Sequence, residues 1–96
     1  MAASPEKLPN GNFLTGSVLP PTAPIRSAAA LGALVRARRR QLALSQLDLA
    51  GLGNTGNRFI VDLENGKPTL QLQKVLDALH LLGLEVCVRA KTAKLP

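Results

Sequence analysis

Two short runs constrain this chain more than any other feature: Leu44-Ser45-Gln46-Leu47-Asp48-Leu49-Ala50 and, nine residues on, Ile60-Val61-Asp62-Leu63-Glu64-Asn65-Gly66-Lys67. They read as two short helices joined by a tight turn. Ser45 can cap the first helix while Asp48, three residues later, supplies the acidic half of a capping box, so its start is fixed locally. In the second, Ile60 and Leu63 share a face at i, i+3, which turns Asn57, Arg58 and Val61 outward as a mixed polar and apolar strip. A helix presented this way can enter a groove.

The 96 residues suffice for one small core with a tail. Twelve Lys+Arg against six Asp+Glu leave a formal charge of +6, which favours a polyanionic partner, although charge alone also serves solubility. Arg36, Arg38, Arg39 and Arg40 crowd one end of a helix expected from Ser27 to about Ala43. Arg36 and Arg40 share a face, whereas Arg38 falls nearer the apolar positions Leu31, Leu34, Val35 and Leu42.

An enzyme is not expected. His80 has no Cys, His or clustered carboxylate at ligand spacing, so a surface or half-buried role is favoured and no metal or cofactor follows. Cys87 has no histidine nearby in sequence. It reads first as a small apolar strand residue and second as a redox switch between two copies. A lone cysteine also excludes an intramolecular disulfide and suits a reducing cytosol. No stretch approaches the ~18 apolar residues of a membrane span, and the apolar run Ala28 to Val35 lies deep in the chain with its charges after it, unlike a secretory signal. A cytoplasmic location is expected.

Residues 1–26 hold five of the seven prolines, Pro5, Pro9, Pro20, Pro21 and Pro24, and show no apolar period. They should form a disordered arm, and Lys7 and Arg26 supply too little charge for a groove-binding role. Residues 27–83 carry the helical domain. Within it Lys67-Pro68-Thr69 makes a turn, and Leu72, Val75, Leu76, Leu79 and Leu82 mark a core-facing helix ended by Gly83. Residues 84–96 form a tail whose stretch Leu84 to Lys91 alternates with period two, as a strand does. A lone strand cannot satisfy its backbone groups, so pairing with the same strand of a second copy is expected, through Leu84, Val86 and Val88.

The two opening runs resemble the helix-turn-helix domain of the lambda-repressor-like (XRE) family, whose pattern is L-[ST]-Q-x-[ED]-L-A followed by I-x-x-[IL]-E-[NR]-G-K. The resemblance covers about Ser27 to Gly83. Arg58-Phe59 and Lys67-Pro68-Thr69 resemble a narrower subgroup containing HipB-like antitoxins. Ala43 stands where a helix-ending glycine is common, and Asn54-Thr55-Gly56 replaces the usual Gly-x-[ST] turn. The implied fold is all-α: a bundle of four to five helices with a C-terminal β-strand forming a two-stranded ribbon between subunits.

The resemblance also implies roles. Gln46 matches a phosphate-binding position and Ser45 and Asn65 match neighbouring ones, with Lys67 near enough to add charge. Arg39 and Glu64 match a structural salt bridge. Asn57 and Arg58 fall in the first turn of the recognition helix, where asparagine suits adenine and arginine suits guanine, and Val61 can meet a thymine methyl. Phe59 is left between packing on the bundle and a thymine contact. Asp62 reads as a solvated surface acid before a cytosine contact. The implied protein is a homodimeric transcriptional repressor of double-stranded DNA with an inverted-repeat operator. HipB-like members also restrain a HipA-type serine/threonine kinase toxin. A stand-alone repressor is the alternative, and a protein-interaction module without DNA binding a more distant one.

Overall fold

The computed structural model describes residues 24–91 and contains four α-helices there: α1 (Ala28–Gln41), α2 (Gln46–Leu52), α3 (Asn57–Glu64) and α4 (Leu72–Leu81). The arm expected over 1–26 lies, apart from residues 24–26, outside the described residues, as does the end of the tail from residue 92.

Local chemistry sets the helix starts. Ser27 caps α1, its hydroxyl oxygen accepting from the Ala30 N–H at 3.0 Å. Ser45 and Asp48 form the reciprocal capping box at α2: the Asp48 N–H donates to Ser45 Oγ at 2.9 Å, and the Ser45 N–H donates to the Asp48 carboxylate at 2.8 Å. The helix ends share one device. In each, the residue after the C-cap adopts positive φ and two backbone bonds close the last turn, as in a Schellman motif. The residues in that position are Ala43 (φ 61), Asn54 (φ 54), Gly66 (φ 81) and Gly83 (φ 74). At α1, for example, the Ala43 N–H reaches the Arg40 carbonyl at 2.9 Å and the Leu44 N–H reaches that of Arg39 at 3.1 Å. The departures at Ala43 and Asn54 therefore keep the turn geometry, Asn54 cheaply and Ala43 against the steric cost of a Cβ in the left-handed region.

The core is built from Val35, Leu49, Ala50, Ile60, Leu63, Val75, Ala78, Leu79 and Leu82. Helix α3 packs on both α1 and α2, and α4 closes against α2. The approach of α1 to α3 is very close at Gly32, where an added Cβ would stand 2.4 Å from the Leu63 carbonyl oxygen and 2.7 Å from that of Glu64. Only glycine admits this contact. Arg38 fastens the far side, donating from Nε to the Leu82 carbonyl at 2.8 Å at the C-terminal end of α4.

Two expectations need correction. Leu72 does not face the core but is 69% exposed, and Ala78 takes the place in the core that the sequence reading gave it. Residues 84–91 form no strand in the single chain. Leu84 instead belongs to the bundle, packed against the core with its N–H on the Leu79 carbonyl at 3.0 Å.

Candidate nucleic-acid interface

Helix α3 buries Ile60 and Leu63, and the turn of 100° per residue then fixes what looks outward. Asn57, Arg58, Val61 and Asn65 fall on one strip, with Asn57, Arg58 and Asn65 exposed and Val61 half-buried. The N-cap of α3 is Gly56, which offers no side-chain acceptor, so the first turn of the helix remains open to a ligand's oxygens. Phe59 lies on the flank, partly buried against the core, and Lys74 Nζ sits 5.9 Å from its ring centroid. That placement shows the packing side of its two expected roles.

The start of α2 abuts the end of α3. Gln46 donates from Nε2 to Glu64 Oε1 at 3.1 Å. Glu64 is also gripped by Arg39, whose Nε and Nη2 donate to its two oxygens at 2.5 and 3.0 Å. Arg39 Nη1 donates to the Leu44 carbonyl at 2.7 Å, so the same guanidinium pins the turn between α1 and α2. Burial pushes the Glu64 carboxyl up, but the hydrogen bonds from Arg39 and Gln46 and the charges of Arg39 and Arg36 outweigh it and hold the pKa below its ordinary value. The hydrogen bond that Arg39 donates to Glu64 raises the arginine's own pKa against desolvation. No side-chain nitrogen or oxygen in the described residues is buried without a partner.

This arrangement sorts the cations. Arg38 and Arg39 are tied into the bundle, whereas Arg36 and Arg40 are exposed beside them. Ser45 is exposed; its oxygen accepts the Asp48 N–H and its hydroxyl hydrogen stays available to a phosphate. Asn65 and Lys67 follow at the C-terminal end of α3, both exposed. Val86 and Val88, at 56% and 94% exposure, stand clear of the bundle that Leu84 joins.

Sequence reasoning missed one member. Asp62 is no solvated acid: its side chain is only 14% exposed, and it forms ion pairs with Arg58, Nε to Oδ1 at 3.2 Å, and with Lys67, Nζ to Oδ2 at 3.7 Å. The i, i+4 spacing of Arg58 and Asp62 is the signal from which this pair can be read.

No family model matches the chain. The uncharacterized HTH-type transcriptional regulator y4mF of Sinorhizobium fredii is 50% identical over 66 residues, which span 69% of this chain and 87% of that protein. Among solved structures, a chain of a HipA-HipB-O2-O3 complex superposes with a TM-score of 0.68 at 21% identity, covering 73% of this chain and 99% of its own. A HipB-O4 20mer complex gives 0.67 at 21% identity, with the same coverage. These neighbours share the helical fold described above. The chain belongs to the HTH-type transcriptional regulators, with the lambda-repressor-like helix-turn-helix fold of HipB.

Proposed function

We propose that the protein is a dimeric transcriptional repressor that reads an inverted-repeat operator in double-stranded DNA through α3, and that it acts by binding, without catalysis. The observation that carries this reading is the outward strip of α3, where Asn57, Arg58 and Val61 combine adenine-type, guanine-type and methyl-type contacts beside an uncapped helix start. Ser45, Gln46, Asn65 and Lys67 serve as the phosphate contacts that set its register. The tail supports dimerisation. Beyond Leu84 the segment to residue 91 has no ladder among the described residues, and pairing Val86 and Val88 with a second copy would satisfy its backbone groups. A two-fold dimer presents two copies of α3 and so calls for a palindromic site.

We further infer an antitoxin role, in which this cytoplasmic repressor autoregulates an operon and restrains a HipA-type kinase. The fold it shares with a chain of a HipA-HipB complex supports this. A second reading, a stand-alone repressor, is favoured by the relative at 50% identity, named as a regulator alone. Selection of bound duplexes from a random pool tests the shared reading: an enriched palindrome supports it, and recovery of unenriched sequence rejects it. Co-expression with a kinase encoded beside it separates the two roles. Co-elution at micromolar concentration supports the antitoxin, and separate elution leaves the stand-alone repressor.

A further inference from the structure

Beside the outward strip of α3 stands a carboxylate that DNA binding by itself does not call for. Asp62 stands one turn after Arg58 and five residues before Lys67. The Schellman turn at Gly66 folds Lys67 back, its N–H donating to the Asp62 carbonyl at 2.9 Å, so the lysine is brought to the same carboxylate that Arg58 reaches from the other side. The two partners differ in freedom. Asp62 is 14% exposed, whereas the side chains of Arg58 and Lys67 are 81% and 52% exposed. The acid is the fixed post and the cations are the mobile arms.

The atoms engaged matter. Asp62 Oδ1 pairs with Arg58 on the Nε side of the guanidinium, 3.2 Å away, and no hydrogen bond ties the two terminal nitrogens to the acid. Those nitrogens can make the forked contact with guanine O6 and N7 while Nε stays on the acid. A contact from Arg58 to a phosphate off register has to swing the guanidinium away and leave a carboxylate facing a polyanion.

We propose that Asp62 is a positioning residue that sets sequence specificity: through its ion pair it keeps the Nε side of Arg58 on the acid and the terminal nitrogens toward a base and, by holding Arg58 and Lys67, withholds both cations from phosphates of arbitrary sequence. This rests on the DNA-reading role of α3 and names how that face discriminates. Non-specific complexes lose the help of two cations, and complexes with guanine in register keep the ion pair intact.

The test compares the full-length wild type with Asp62→Asn, which keeps the shape and removes the charge. Duplexes of random sequence and the duplex selected by the wild type are titrated over a series of salt concentrations. Asp62→Asn should bind random duplex several-fold more tightly, with the slope of log K against log salt steeper by about 0.9 for each cation released to phosphate. Its preference for the selected site over random duplex should fall about tenfold, a loss of the order of one good base contact. In an Arg58→Ala background the same substitution should no longer change the preference at the guanine step, since the acid acts there through the arginine. Asp62→Glu should restore part of it.

An Asp62→Asn protein with wild-type helical far-UV signal, unchanged salt slope and unchanged preference overturns the proposal while leaving the DNA-reading role standing. A loss of preference equal in the Arg58→Ala background also overturns it, because the acid would then act elsewhere. A wild type that selects no sequence overturns both readings.

Discussion

Arg39 lies flat against Glu64, two nitrogens on two oxygens, with both side chains below 10% exposure at 9% and 3%. The pair joins the last turn of α1 to the last turn of α3, and Gln46 adds the first turn of α2. Replacing Glu64 with Gln leaves a guanidinium in a largely dry site without its counter-charge. We expect a loss of about 3 to 5 kcal/mol in chemical denaturation, the range for a buried pair broken on one side. A loss under about 1 kcal/mol would place the pair with ordinary surface ion pairs.

Acid should expose the same relationship. The Glu64 carboxyl is held below its ordinary value of 4.5, and Asp48, bonded by the backbone and side chain of Ser45, below 3.8. A carboxyl whose pKa is depressed on folding contributes stability above its unfolded pKa and loses it as pH falls through the folded value. Melting temperature should therefore be insensitive to these two groups above pH 4.5 and should drop as the pH is lowered below it. Glu64→Gln should show a shallower drop over that window, and an identical profile would remove Glu64 from the account.

Ala43 offers a gain instead. Its φ of 61 gives alanine the conformation that glycine adopts freely, at the end of a helix whose closing bonds to Arg39 and Arg40 are already in place. Ala43→Gly should raise stability by about 0.5 to 1 kcal/mol, the left-handed penalty less the extra chain entropy of glycine. A decrease on thermal or urea unfolding would show that the Cβ contributes more than it strains.

Reading and positioning should separate by mutation. Arg58→Ala should cost about 1 to 3 kcal/mol on the selected site and relax preference at one base step per half-site. Gln46→Ala should weaken selected and random duplex alike, with a stability loss of about 0.5 to 1.5 kcal/mol from the bond to Glu64. Parallel behaviour of the two variants in electrophoretic mobility titrations would collapse the distinction.

For the dimer, a truncation should spare Leu84, because that residue completes the end of α4. Removing Val86 to Pro96 should yield a folded monomer with much weaker operator binding. Sedimentation of the truncated protein as a dimer would move the interface to the bundle.

What the sequence revealed follows from how local each signal is. The capping box at Ser45 and Asp48 is complete within four residues and needs no tertiary context. The buried face of α4 was harder to read. Leucine outweighs alanine in any apolar count, which draws the expected face toward Leu72, while the packed arc runs through Val75, Ala78, Leu79 and Leu82 with Leu76 half-buried beside it. Leu72 also opens the helix, and side chains lean toward the N-terminus, so it overhangs the edge of the core. Alternation from Leu84 onward marks a segment able to pair, but a ladder needs a second strand, and the first residue of the run was claimed by the bundle. At Asp62 the spacing was present; its burial comes from the fold around it.

The contact at Gly32 separates two jobs within eight residues of α3. Backbone meets backbone there, so the seating of α3 depends on carbonyl positions at Leu63 and Glu64 and on the side chains of Ile60, Leu63 and Glu64, with Asn57 and Arg58 uninvolved. The outward positions 57, 58 and 61 thus amount to an interchangeable key face on a fixed lock body. Transplanting those three positions from a regulator with another operator should carry much of its preference across while leaving the melting temperature close to that of the host.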